Sequence, residues 1–556
     1  MILTEILSRA ADVLSSQLPD FLLSNIVVLP IAIPLLMGSL TILFRRHPKF
    51  QMVLDISVSL LILCLSAVLW LLAMNGPIAY DVGEFGKYGI VLVGDTLSAT
   101  MVLLTSFIST CVLIYSYDYI EDVSLNKSYH TLFNLMIAGI NGIFLTGDLF
   151  NLFVFFEIMF LSSTALIMSN EKVSVTKLTN KLEGTYKYLL LGMLGSSFML
   201  VAIVSTYATV GSLNMADIAL KIRMIAADGP LPWTLYASAL LFIIVFGNKA
   251  ALFPLHFWLP DVHPTAPTPI SAMLSGILIK VGIYGIMRIM FFIYAPASGY
   301  FLPVLMICAL LTMAVGAVGA IGQKDLKRVL AYSSVSQIGF ILFGLAVGTP
   351  EALAAAVLYL VCHALAKSML FLTAGGVIHG TGTRDIRKMG GLIRTMPVFA
   401  FCFLLGAMSI AGFPPLGGFT AKMALFQAGL SDGAYLPVLI AILCAVGTLF
   451  YMFRTWMAVF WGEPAGSSAG SDAPAENGSH DGSHDGSHDG SHDGSHNGSH
   501  DHRPSVLIVL PLIALCAAAV LLGILTEPLA QAADMIAAGL LDPEPYISTV
   551  LGVVPR

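Results

Sequence analysis

Charged residues are scarce in this chain: 11% of its 556 residues are Asp, Glu, Lys or Arg and 57% are hydrophobic, whereas ordinary soluble proteins carry roughly a quarter charged residues. A single soluble core cannot absorb that much apolar surface, which excludes an ordinary water-soluble fold. Paired cysteines are lacking too. Cys64, Cys111, Cys308, Cys362, Cys402, Cys444 and Cys516 lie singly inside apolar blocks, without disulfide or metal-ligand spacing, and read as small core residues. No Gly-rich phosphate loop, iron–sulfur cysteine cluster or catalytic-triad context occurs, so redox or hydrolytic chemistry has no carrier and no cofactor is expected. Much of the net charge of −6 sits in one polar loop (462–504) and says little about partners, and nucleic acid is not an expected one. The first twenty residues hold Glu5, Asp12 and Asp20 and no basic start before an apolar run. No cleavable signal peptide is therefore expected, and the first span serves as its own insertion signal.

What is abundant is apolar sequence in blocks of about 20 residues, enough to cross a hydrocarbon core roughly 30 Å thick. The bilayer is the solvent. Spans are expected near 26–44, 53–74, 89–116, 131–147, 149–168, 186–210 and 233–259. Others follow near 269–291, 301–322, 327–347, 351–378, 397–430, 435–461 and 505–526. The reading is an all-α polytopic membrane protein with about 14 transmembrane helices. Its parts are a polar N-terminal segment (1–25), three helices (26–130), a first five-helix set (131–300) and a second (301–461). A polar loop (462–504) and a last span with its tail (505–556) complete it.

Loop charge tests the count, because cytoplasmic loops hold the Lys and Arg excess. Of the 27 basic residues, seventeen fall in one alternating set of loops and six, Arg288 among them, in the other. This bias with an even number of spans puts both termini outside the cytoplasm. The remaining four basic residues, Lys249, Lys280, Lys367 and Lys422, fall inside spans.

The loop before the last span carries GSHDGSHDGSHDGSHDGSHNGSHDH on a background too polar to fold. His480, His484, His488, His492, His496 and His500 could hold zinc, nickel or copper weakly or respond to pH. The blander reading, an expanded solvated tether, is preferred.

A Lys at the centre of a spanning helix costs roughly 2.5–3.5 kcal/mol on insertion scales and is rarely left there without a use or partner. Lys280 in SAMLSGILIKVGIYGIM is almost at mid-span, and Lys249 and Glu157 are likewise central. His363 and Lys367, four residues apart, share a helix face. A buried Lys and Glu, each offsetting the other's desolvation, can exchange a proton when a third charge arrives. A static ion pair that only fixes helix packing is the competing reading.

Two spans are interrupted by proline, which removes a helical hydrogen bond. Such breaks are tolerated at membrane depth only against protein or a wet cavity. One break is at Phe253, Pro254 and Leu255, followed by His256, Asp261 and His263; the other, AGFPPLGGFTAKM, holds Pro414 and Pro415 before Lys422. Both breaks fall in the fourth span of a five-span set, the pattern of an inverted-repeat transporter. His256, His263 and His363 read as satisfied core residues before relays, Asp261 goes either way, and Asp95 and Asp148 read as anchors reaching interfacial water.

At KAALFPLHFWLPDVHPTAPTPISAMLSGILIKVGIYG, QKDLKRVLAYSSVSQIGF and CHALAKSMLFLTAGG, the chain resembles the proton-translocating antiporter-like family. That family is shared by membrane subunits of respiratory complex I, membrane hydrogenases and Mrp (multiple resistance and pH) cation/proton antiporters. The resemblance covers about residues 90 to 460, and TGDLFNLFVFFEIMF is most similar to D-type Mrp subunits. It implies fourteen spans with two inverted five-helix repeats and two proline-broken helices. It also implies a Glu157–Lys249 pair in the first half-channel, Lys280 as central relay, His363 and Lys367 as a bridge and Lys422 as the terminal lysine. The implied role is a secondary transporter component rather than an enzyme, exchanging H+ for Na+ or another monovalent cation beside other membrane subunits in a bacterial inner membrane. The alternative it leaves is a proton-pumping subunit of a complex I-like NADH:quinone oxidoreductase or membrane hydrogenase.

Overall fold

A computed structural model of the chain describes residues 9, 12–13, 16–44, 46–86, 89–119, 128–169, 175–462 and 505–552. A helix satisfies its own backbone hydrogen bonds, which hydrocarbon cannot do for it, and the described residues are mostly helical. The chain runs through α1 (Leu29–Leu43), α2 (Pro48–Ala73), α3 (Thr96–Tyr119), α4 (Tyr129–Leu145) and α5 (Leu149–Met168). It continues with α6 (Val175–Val210), the amphipathic α7 (Met215–Asp228), α8 (Trp233–Lys249) and α9 (Thr268–Ile293). Then come α10 (Ser298–Ile321), α11 (Leu326–Val347), α12 (Pro350–Thr381), α13 (Pro397–Ala411), α14 (Gly417–Ser431) and α15 (Tyr435–Trp456). The chain closes with α16 (Val506–Ile524), α17 (Thr526–Leu541) and α18 (Glu544–Leu551). Ten helices are long and apolar enough to cross a membrane, and α1, α4, α8 and α13 are shorter apolar helices.

The third expected span begins differently. Residues 90–94 form strand β2 (Ile90–Gly94), antiparallel to β1 (Ile78–Val82) with Tyr80 opposite Leu92, and α3 starts only at Thr96. β-Branched residues in Ile90-Val91-Leu92-Val93 suit a pleated, half-buried surface. Gly83 and Gly86, both at positive φ, turn the chain between the strands. The architecture is thus helical with one small hairpin, not purely α.

Helix starts are set locally. Asp148, Asp325 and Thr349 accept from the backbone amides of Asn151, Arg328 and Ala352, satisfying donors that a helix N-terminus leaves unpaired. Pro350 occupies the first turn of α12, where its missing N–H is no loss.

The two breaks lie where the prolines announced them, and the first is longer than the interruption expected at 253–255. α8 stops at Lys249; Ala251 has φ +58 and Phe253–Pro254 is cis, and one turn of helix resumes only at Trp258–Val262. α13 ends on Gly412 at φ +82, followed by the cis Pro414–Pro415 bond, and α14 starts at Gly417. α6 packs against both pieces of the first broken helix, and α12 against both pieces of the second.

Burial ranks the helices. The most apolar stretch of α9 is 100% buried and those of α11 and α12 are 94% buried, whereas α2 and α6 reach 28% and 33%. The centre is therefore α9, α11 and α12, and lipid-facing side chains belong to the periphery. Beyond α16, α17 packs on α12 and α18 on α7.

Close packing depends on glycine. A Cβ on Gly139 of α4 would stand 2.6 Å from the Met159 amide nitrogen of α5, and one on Gly316 of α10 would overlap the Ser336 backbone of α11. Gly316→Val should force α10 from α11 and lower stability by about 1–3 kcal/mol. Thermal melting of the detergent-purified protein checks this; an unshifted Tm would contradict the packing.

Candidate functional site

Lys249 and Glu157 face the same helix from different sides. Lys249 Nζ donates to Tyr188 Oη at 2.7 Å and lies 4.9 Å from the Tyr188 ring centroid, 5.6 Å from that of Phe156 and 5.8 Å from that of Phe160. Such contacts are favourable cation–π interactions. Glu157, half-buried on α5, accepts from the Ser196 hydroxyl. Tyr188 and Ser196 both belong to α6, two turns apart. No direct Glu157–Lys249 ion pair forms among the described residues, which corrects that expectation; α6 hydroxyls hold the two charges instead. A cavity of about 10 Å³ lined by Lys249, Tyr188, Asn248 and Trp258 adjoins the lysine, the least volume that admits one water.

Lys280, Lys367 and Lys422 sit deeper. Lys280 is fully buried and donates to the Ser275 carbonyl at 2.5 Å, next to a π-helical turn over Leu274–Leu278. Turns of this kind recur at functional sites. The Ser275 hydroxyl meets that of Ser334 on α11 at 2.8 Å, and Ser334 donates to the Leu330 carbonyl. Lys367, also fully buried, donates to that same Leu330 carbonyl at 2.9 Å and to the Ser333 hydroxyl at 2.6 Å. One turn of α11 thus touches the surroundings of both lysines.

His363 lies one turn before Lys367. Both its ring nitrogens are buried without a hydrogen-bond partner among the described residues, its ring stacks on Tyr359 at 6.1 Å, and Lys280, Lys367 and Lys422 are all within its electrostatic reach. Lys422 donates to the Ile410 carbonyl at 2.7 Å and sits over the rings of Phe340 (4.3 Å) and Tyr359 (5.4 Å). Ile410 is in the last turn of α13, where unpaired carbonyls and the helix dipole favour a cation. The Tyr359 hydroxyl donates to Gln337, whose amide nitrogen reaches Thr448 at 3.1 Å and Tyr451 at 3.3 Å.

Sequence reasoning missed Tyr188, Ser333, Ser334, Gln337 and Tyr359. A signal existed: Ser333 and Gln337, and Tyr359, His363 and Lys367, repeat at four-residue spacing and so line one helix face. None of Lys280, Lys367 and Lys422 contacts a carboxylate among the described residues; each ammonium is held by carbonyls, hydroxyls and aromatic faces. Unpaired buried charge of this kind is expensive and marks function more often than architecture.

The secondary candidates separate. Among the described residues, His263 is fully buried with both nitrogens unpartnered and stacks on Phe371 at 4.5 Å, within reach of the Lys280, Lys327 and Lys367 charges. It is not a satisfied core histidine. His256 is half-buried against Phe253, 5.8 Å between ring centroids, with Nδ1 unpartnered. Asp261 is paired with Lys187 and Arg328.

Asp95 and Asp148 are not water-facing anchors. Asp148 is buried and caps α5, and Asp95 is clamped through both oxygens by Arg288 at 2.7 and 2.9 Å. Arg288 itself is 3% exposed inside α9, not in a loop, with its guanidinium over Tyr284, Phe292 and Tyr546. The histidines from His480 to His500 lie outside the described residues. Among the described residues no group of three or more His, Cys, Asp or Glu is placed to hold a metal ion.

Residues 146–448 match the family described as NADH:quinone oxidoreductase/Mrp antiporter, transmembrane, and residues 84–130 match the N-terminal part of NADH-ubiquinone oxidoreductase (complex I) chain 5. The chain is similar to the D subunit of the Na(+)/H(+) antiporter of Alkalihalophilus pseudofirmus, 35% identical across 95% of this chain and all of that one. It is 31% identical to the protein of the same name from Bacillus subtilis, again over 95% and 100%. Among solved structures, a chain of the Mrp complex from Dietzia sp. superposes with a TM-score of 0.82 at 28% identity, covering 95% of this chain and 99% of that one. A chain of an archaeal membrane-bound sulfane sulfur reductase gives 0.80 at 26% identity, covering 95% and 100%.

Removing one partner of a buried ion pair strands the other charge. Asp95→Ala should therefore destabilise the protein by about 3–5 kcal/mol, and Asp95→Leu combined with Arg288→Met should recover most of it. Denaturation of the purified variants reads both, and an Asp95→Ala protein as stable as the parent would refute the clamp.

Proposed function

The chain belongs to the NADH:quinone oxidoreductase/Mrp antiporter membrane family, and from that premise we propose that it is the D-type membrane component of a multisubunit Na+/H+ antiporter. It is a secondary transporter, not an enzyme. Protons are relayed along Glu157, Lys249, Lys280, His363, Lys367 and Lys422, and their passage drives export of Na+ or another monovalent cation. The observation that carries this reading is the contact of α11 with both lysine sites: Lys367 and Ser334 share the Leu330 carbonyl, and Ser334 meets Ser275 beside Lys280. Each ammonium can be kept or surrendered at small structural expense, because its neighbours are hydroxyls and carbonyls able to turn toward water or a neutral amine. Repulsion between Lys280 and Lys367 makes a proton on one disfavour a proton on the other, so charge passes along the series in steps.

The finer architecture belongs to the same proposal. Ten long and four shorter apolar helices form fourteen spans, with 131–300 and 301–461 as two inverted five-helix repeats. Supporting this, the third helix of each set packs against both halves of the fourth, and Gly139 and Gly316 occupy matching close crossings. Both termini lie outside the cytoplasm of a bacterial inner membrane, and other membrane subunits complete the complex.

Similarity to the sulfane sulfur reductase chain leaves one second reading, a proton pump powered by electron transfer in partner subunits. The relay would be the same. Proteins co-purifying with the chain decide: iron–sulfur partners support the second assembly, small membrane subunits the first.

In proteoliposomes of the purified complex, Lys280→Ala and Lys367→Ala should each cut coupled Na+/H+ flux roughly 100-fold, as expected for losing a positioned proton carrier. Flux at the parental rate in both variants would eliminate the relay.

A further inference from the structure

The segment joining the first break to α9 is tied to the second half of the molecule by a set of contacts that the relay does not use. Asp261 divides its carboxylate: Oδ2 takes Lys187 of α6 at 2.7 Å and Oδ1 takes Arg328 of α11 at 2.5 Å. Arg328 Nε also donates to the Pro260 carbonyl at 3.3 Å, Lys327 Nζ to the Ala266 carbonyl at 3.0 Å, and Arg384 to the Pro264 carbonyl. Three basic residues of the second half therefore grip one seven-residue stretch of the first.

The grip attaches close to the lysine sites. Lys187 precedes Tyr188, the hydroxyl that holds Lys249. Arg328 lies two residues before Leu330, the carbonyl that holds Lys367. The stretch carries His263, which stacks on Phe371, one turn beyond Lys367 on α12. One carboxylate thus ties together the two helices whose polar groups hold Lys249 and Lys367, on the same stretch that carries His263.

We propose, resting on the relay above, that Asp261 is a positioning residue that couples the two halves of the proton route. An isolated ion pair at this exposure contributes little. This one belongs to a network in which a planar guanidinium grips a side chain and a backbone carbonyl together, and such forks fix geometry better than a point charge. Proton transfer between groups is steep in their separation, so a small shift of α6 against α11 is felt as rate and not as cation binding.

The test uses the purified complex in liposomes. Asp261→Asn and Arg328→Gln should each lower maximal coupled flux roughly tenfold, with the Na+ concentration for half-maximal flux unchanged, the scale of losing a charge-assisted hydrogen bond. The double variant should be no slower than the slower single, because both remove one link. Asp261→Glu should restore most of the rate. Parental flux in Asp261→Asn, multiplying defects in the double variant, or a shifted Na+ half-saturation would each overturn the proposal. Should Asp261→Asn not assemble, Arg328→Lys carries the test: it keeps the charge and loses the fork, so reduced flux supports the coupling and parental flux overturns it. Lys280→Ala run in parallel separates the two ideas: if it is inactive while Asp261→Asn is fully active, the relay stands and only the coupling falls.

Discussion

Everything in this fold answers one demand: ammonium groups sit at the centre of the most buried helices, where no carboxylate among the described residues touches them. Lys280 and Lys367 are fully buried on α9 and α12. Their charge must be solvated by whatever backbone and hydroxyl oxygen the helices can present, and a regular helix presents little, because its carbonyls are already engaged. Serine on α11 and a π-helical turn in α9 supply the oxygen. A lysine solvated in this way is held closely by neutral groups, the arrangement on which the proposed relay depends.

The proline breaks serve the same demand. Ending a helix inside the protein leaves carbonyls with no intrahelical partner and concentrates the negative end of the helix dipole there. Lys249 is the last residue of α8, and Lys422 reaches back to Ile410 at the end of α13. Lys249 ends its helix and Lys422, six residues into α14, sends its ammonium back to the end of α13, so one lysine comes before its break in the chain and the other after. A continuous helix could offer neither place. Aromatic faces complete the shell around both: Phe156, Phe160 and Tyr188 around Lys249, Phe340 and Tyr359 around Lys422.

Two classes of charge are buried here for different reasons. Asp95 and Arg288 meet through two parallel hydrogen bonds under a cover of aromatic rings, and His130 meets Asp55 at 2.6 Å with Asn134 on the other oxygen. Matched pairs of this sort fix helix packing. Among the described residues the lysines of the axis have no such match, and that asymmetry separates the charges of the proposed relay from the structural ones more sharply than depth does.

The sequence alone determined the bilayer as solvent, the apolar blocks, the two breaks, and the four lysines that carry charge inside spans, but not Arg288, Asp95 or Asp148, which it left in a loop or at interfacial water. Those follow from composition and one-dimensional spacing, because hydrocarbon penalises polarity wherever it lies along the chain. Strand β2 escaped it, since a short apolar run reads alike as strand or helix. The partners of each charge escaped it as well: Tyr188 for Lys249, Ser196 for Glu157, Arg288 for Asp95, and Lys187 with Arg328 for Asp261. Such partners come from helices tens or hundreds of residues away. Only tertiary packing decides which oxygen faces which nitrogen, because a helix's rotation about its axis is set by its neighbours and not by its own apolar content.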